Sequence, residues 1–110
     1  MSTDEIYLTI AQHIVDSIDA EWTVAIIDAE IHEGAGKFKC VYKEEESADV
    51  DHDFDSSFAL FEAFESLHKI MTGSGENKWN RARFILYPAG KFDIEFKWDQ
   101  ELADEIASYA

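Results

Sequence analysis

Residues 44–55 read EEESADVDHDFD. They hold seven acids (Glu44, Glu45, Glu46, Asp49, Asp51, Asp53 and Asp55) and no Lys or Arg. Such a run suits two kinds of chemistry, holding a cation or meeting a basic surface. Asp49-x-Asp51-x-Asp53 matches the first three ligand positions of a calcium-binding EF-hand loop. The match then fails: Phe54 stands where the sharp turn needs a glycine, and Leu60 where a bidentate Glu closes the cage. No metal or cofactor is therefore expected, and a calcium-responsive binding module or small acidic adaptor stands as the alternative reading. Calcium titration with a thermal-shift readout separates the two.

The other reactive side chains point to no reaction. None of the four histidines (His13, His32, His52, His68) falls in a metal-ligand pair of the usual spacing. His13 and His68 lie on helical segments and read as boundary residues. His52 sits among aspartates, but a general base needs a nucleophile to activate, and none is signalled. Cys40 falls between Phe38 and Tyr42 on the apolar side of a strand, with no basic neighbour on that side, and reads as a small core residue. There is no G-x-S-x-G, no P-loop and no dinucleotide fingerprint. Carboxylate pairs for glycoside chemistry abound in any acidic chain, and nothing selects one. No enzyme is expected.

The second kind of chemistry remains. In an extended strand, alternate residues lie about 6.6 Å apart. Carboxylates at 49, 51, 53 and 55 would form a row whose spacing is comparable to that of phosphates along a nucleic-acid strand. A basic cleft built for nucleic acid should accept it, and long-range attraction would speed the encounter by about 10- to 1000-fold at low salt. The plain alternative is a solvated face that keeps a small protein in solution.

Composition bounds the rest. The chain has 110 residues, the size of a single domain, 1–110. Hydrophobic residues at 46% and aromatics at 14% suffice for a core, so it is not a disordered acidic tail. With 24 acids against 9 bases the net charge is −15, which repels nucleic acid and anionic membranes alike. A single cysteine allows no internal disulfide. No apolar run approaches the roughly 20 residues of a membrane span. MSTDEIYL lacks the basic and apolar regions of a signal peptide, so a cytoplasmic protein is expected.

The elements that must position these residues follow from periodicity. Ser2 and Glu5 form a capping-box pattern, and Ile6, Ile10, Ile14 and Ile18 recur every fourth residue, predicting a helix from about Thr3 to Asp19. Trp22 to Ile31 and Lys37 to Tyr42 predict a hairpin around Gly34-Ala35-Gly36. Residues 48–55 fit either a solvated loop or a third, edge strand with Val50, His52 and Phe54 inward. Ser56 and Ser57 precede a Phe-rich helix that ends before Gly73-Ser74-Gly75. Trp79 to Tyr87 and Lys91 to Asp99 predict a second hairpin around Pro88-Ala89-Gly90, with Phe92, Ile94, Phe96 and Trp98 inward. Leu102 to Tyr109 closes the chain as a short helix. The order α-β-β-(β)-α-β-β-α predicts an α+β fold: an antiparallel sheet of four or five strands with helices on one face. An edge strand leaves pairing with a second copy open.

Several of these places together resemble the YezG-like antitoxin family, immunity proteins that neutralise nuclease toxins, including those delivered by contact. The Ile-rich first helix runs into Glu21-Trp22, a Gly-containing hairpin leads to Phe38-x-Cys40-x-Tyr42, and an acidic middle precedes the Phe-rich helix. Trp79 leads a strand, and the last hairpin reads Gly90-Lys91-Phe92-Asp93-Ile94-Glu95-Phe96-x-Trp98-Asp99. Members often carry a Tyr where this chain has Trp98. The resemblance covers nearly the whole chain, mostly at core and turn positions. It implies a non-enzymatic inhibitor that binds a cognate nuclease toxin domain. The acidic run would be its contact surface, and Trp98, Asp99 and the exposed side of the last hairpin the next candidates.

Overall fold

The computed structural model describes residues 2–32, 35–45, 50–73 and 78–108. The elements are α1 (Thr3–Ser17), β1 (Val24–His32), β2 (Ala35–Lys43), β3 (His52–Asp53), α2 (Phe58–Thr72), β4 (Arg81–Leu86), β5 (Phe92–Lys97) and α3 (Gln100–Ser108). The five strands form one antiparallel sheet in the order β3-β2-β1-β4-β5. The fold is α+β, in the element order that the periodicities predict.

Helix α1 starts where its cap dictates. The Ser2 hydroxyl accepts from the Glu5 N–H and the Glu5 carboxylate accepts from the Ser2 N–H, the reciprocal capping box. Its four-residue apolar repeat puts Ile6, Ile10 and Ile14 against the sheet, all fully buried. The strand residues beneath them alternate, so Ala25, Ile27, Ala29 and Ile31 of β1 join the core while Ile26, Asp28 and Glu30 turn away. Helix α2 supplies Leu60, Ala63, Phe64 and Leu67 to the same layer. Each fully buried Ile, Leu or Phe contributes about 1.5–3 kcal/mol, so this apolar layer is the main source of stability.

The structure corrects several boundaries. Ala35 and Gly36, expected in a turn, are strand residues paired with His32 and Ile31. Gly36 is needed for closeness rather than for bending: a Cβ there would lie 3.0 Å from Ile31 Cδ1 and 3.1 Å from Phe61 Cδ1. The expected third strand is a real edge strand but only two residues long. Trp79 precedes β4 and is buried against His68 and Phe96. Trp98, expected inward, lies beyond the end of β5 and is 46% exposed; Phe92, also expected inward, is 41% exposed. Phe92 still faces the core side, stacked on the buried Phe84 with ring centroids 5.2 Å apart, and Ile94 and Phe96 pack against the same layer, so the expected alternation holds along β5 and ends at Trp98, past the strand. Gly34, Ser74, Gly75 and Tyr109, read above as turn or helix positions, lie outside the described residues.

The β4–β5 turn is held by Tyr87 and Lys91, whose N–H and carbonyl meet at 2.9 Å, and by Gly90, whose φ of 92° suits a residue without Cβ.

Candidate functional site

The acidic run sits at the β3 edge of the sheet. Glu44 and Glu45 leave the end of β2, Asp51 leads into β3, Asp53 lies on it and Asp55 follows. Glu46 and Asp49 lie outside the described residues. Alternation fixes the geometry here. Asp53 is opposite Val41 and His52 opposite Tyr42, so the carboxylate and the imidazole point to opposite faces. His52 stacks on Tyr42 with ring centroids 5.1 Å apart, and Phe54 packs beside Tyr42 and His13. These ring contacts hold residues 52–54, with Asp51, Asp53 and Asp55 exposed beside them.

Backbone bonds lock the register. Phe54 N–H donates to the Cys40 carbonyl at 3.1 Å. His13, on α1, donates from Nε2 to the Asp55 carbonyl at 2.8 Å and takes the Ser57 hydroxyl on Nδ1 at 3.3 Å. The same Ser57 hydroxyl accepts from Leu60 N–H and so caps α2. His13 is thus a clamp between α1 and the end of the acidic run. His68 plays a similar part, meeting the Trp79 carbonyl at 2.9 Å.

Internal neutralisation of the run is partial. Lys43 Nζ lies 3.7 Å from Asp51, and His52 Nε2 lies 3.9 Å from Glu44. Glu45, Asp53 and Asp55 are exposed and have no ion-pair partner among the described residues. With Lys43 on Asp51, the middle carboxylate of the calcium-like pattern already faces a cation. Among the described residues, no group of three or more His, Cys, Asp or Glu is placed to hold a metal. Cys40 is buried, and that burial, with the Asp55 charge second, pushes its thiol up to about 11. A thiol held protonated is a poor nucleophile.

Trp98 and Asp99 lie at the other side of the molecule, because β3 and β5 are opposite edges of the sheet. Four strand spacings, about 19 Å, separate them from the acidic run. Asp99 is a joint. Its carboxylate accepts from Arg81 Nε at 2.7 Å and from the Leu102 N–H at 3.1 Å, capping α3. The Asn80 side chain bonds both its N–H (2.7 Å) and its carbonyl (2.8 Å). The Arg81 hydrogen bond, then that of Leu102, holds its carboxyl below the usual carboxylate range. Trp98 donates from Nε1 to Gln100 at 3.0 Å.

The sheet face away from α1 and α2 carries charges that the sequence signals only as alternation. Asp28 and Arg83 form a two-point ion pair at 2.7 and 3.3 Å, and Arg81 bridges Glu30 at 2.8 Å as well as Asp99. Lys37, Lys39, Lys43, Arg81, Arg83 and Lys97 all belong to this face, six of the chain's nine bases.

The described residues present two charged surfaces, an acidic edge and a sheet face of mixed charge. No described helix is long and apolar enough to cross a membrane. A search of curated proteins found no match to this chain. Residues 3–110 match the family described as immunity protein YezG-like. With that match spanning every described element, the chain belongs to the YezG-like immunity protein family.

Proposed function

We propose that this chain is a non-catalytic, cytoplasmic antitoxin that inhibits a cognate nuclease toxin domain, with the acidic β3 edge occupying that toxin's basic nucleic-acid cleft. The observation that carries the reading is the set of exposed carboxylates on Glu45, Asp53 and Asp55, which the chain's own described cations leave uncompensated. The segment is anchored beneath by His52, Phe54 and His13, so its charges are presented by a held backbone. A net charge of −15 adds long-range attraction to any cationic partner.

Binding of the toxin domain to the triple variant Glu45→Lys, Asp53→Lys, Asp55→Lys tests this. Association at low salt is expected to slow by about tenfold or more, with the melting temperature little changed. An unchanged association rate together with full protection against the toxin would move the contact elsewhere, first to the Trp98 end of the last hairpin.

A further inference from the structure

The sheet face away from α1 and α2 carries an ordered charge pattern. Cross-strand partners share a face, so the registers place Lys39, Asp28, Arg83 and Glu95 in one row across β2, β1, β4 and β5. The signs read plus, minus, plus, minus. Reversing that order inverts every sign. The row is therefore complementary to its own reverse.

We propose that this face is a docking surface for a second copy of the chain. The two sheets pack face to face about a two-fold axis parallel to the strands, between β1 and β4. That operation lays β2 of one copy over β5 of its partner, and β1 over β4. Lys39 then meets Glu95 and Asp28 meets Arg83, each pair occurring twice as a closed two-fold interface requires. One step along the strands, Ile26 meets Ile85, both half-buried in the single chain. One step the other way, Glu30 meets Arg81, while Lys37 and Lys97 face each other at the rim, where solvent screens them.

Charge distribution favours this face over any other for self-association. A chain at −15 repels its copies in general. Six of its nine bases are gathered here, matched by six acids, Asp28, Glu30, Asp53, Asp93 and Glu95 on the same registers and Asp99 on Arg81, so here two copies can meet without a local excess of one sign.

Lys39 and Glu95 lie three strand spacings apart in one chain, about 14 Å, too far to pair internally. That separation gives a test by mixing. The unaltered chain is expected to sediment as a dimer at physiological salt. Lys39→Glu and Glu95→Lys copies, each alone, would place like charges together twice, and the dimer dissociation constant should rise by about tenfold or more. Mixed, the two variants should associate with each other, because every 39–95 contact in the mixed dimer joins opposite charges. A monomeric unaltered chain overturns the proposal. So does a dimer that both single variants leave intact, or a mixture that stays monomeric although circular dichroism shows both variants folded. Should either variant fail to fold, Lys39→Cys and Glu95→Cys copies replace them. A short bis-maleimide should then link the mixture and neither copy alone; linkage within one kind alone overturns the proposed axis.

Discussion

Asp99 and Cys40 show how single groups tie pH to stability in opposite directions. The folded state holds Asp99 below its ordinary range through Arg81 and the α3 cap. A lowered carboxyl stabilises the fold above its unfolded value, about 3.9, and that stabilisation disappears as pH falls through the folded value. Stability should therefore drop below about pH 4, and the Asp99→Asn variant should lose part of that dependence in denaturant titrations run between pH 5 and pH 2. Cys40 behaves the other way. Burial raises its thiol to about 11, so its contribution is complete below the unfolded value near 8.5 and is lost as pH rises towards 11. A thiol-specific reagent should label Cys40 of the folded chain at pH 8 only through unfolding, at a rate that tracks global opening; immediate labelling would contradict its burial. The core placement of Cys40 was legible from its strand alternation. The work of Asp99 was not, because it depends on Arg81 and Asn80 arriving from 18 and 19 residues away, one on its carboxylate and the other on its backbone.

The elements were most legible where one period governs a long stretch. Four isoleucines every fourth residue identify α1, and the alternation of Arg81, Arg83 and Ile85 against Ala82, Phe84 and Leu86 identifies both faces of β4. Short or terminal pieces were less legible. β3 pairs only through His52 and Asp53, with one further bond from Phe54 to the Cys40 carbonyl, although β2 runs on to Ala35, and alternation over residues 49–55 gave no sign of so short a strand. The ion pairs Asp28–Arg83 and Glu30–Arg81 join residues more than 50 apart, and only the β1–β4 register brings them together. Gly36 looked like a turn residue and is a contact between layers. The two side-chain ends near its absent Cβ can yield, but the Glu30 carbonyl at 3.2 Å cannot. Gly36→Val should cost about 1–3 kcal/mol in urea unfolding, and Gly36→Ala less, whereas equal tolerance of both would show that α2 does not press on β2 there. His13 offers a second check on how elements are joined. His13→Ala removes the bond to the Asp55 carbonyl and frees Ser57, and should lower stability by about 1–2 kcal/mol.

Over the molecule as a whole, one quantity acts on folding and on partners with opposite sign. A net charge of −15 makes the folded chain repel itself, since compaction brings like charges nearer than the unfolded state does. Added salt screens exposed charges beyond about 8 Å at physiological strength, and the favourable surface pairs it also weakens are each worth only about 0–1 kcal/mol. Repulsion outweighs those pairs, because the described ion pairs use few of the 24 acids. Raising sodium chloride from low to several times physiological strength should therefore raise the melting temperature. The same change should slow capture of a cationic partner by the β3 edge, because screening removes the attraction that guides it. The Glu45→Lys, Asp53→Lys, Asp55→Lys variant separates the two effects. Its net charge moves from −15 to −9, so both its salt-dependent stabilisation and its salt-dependent association should flatten. A melting temperature that falls with salt in the unaltered chain would mean that specific pairs such as Asp28–Arg83 and Arg81–Asp99 outweigh the general repulsion.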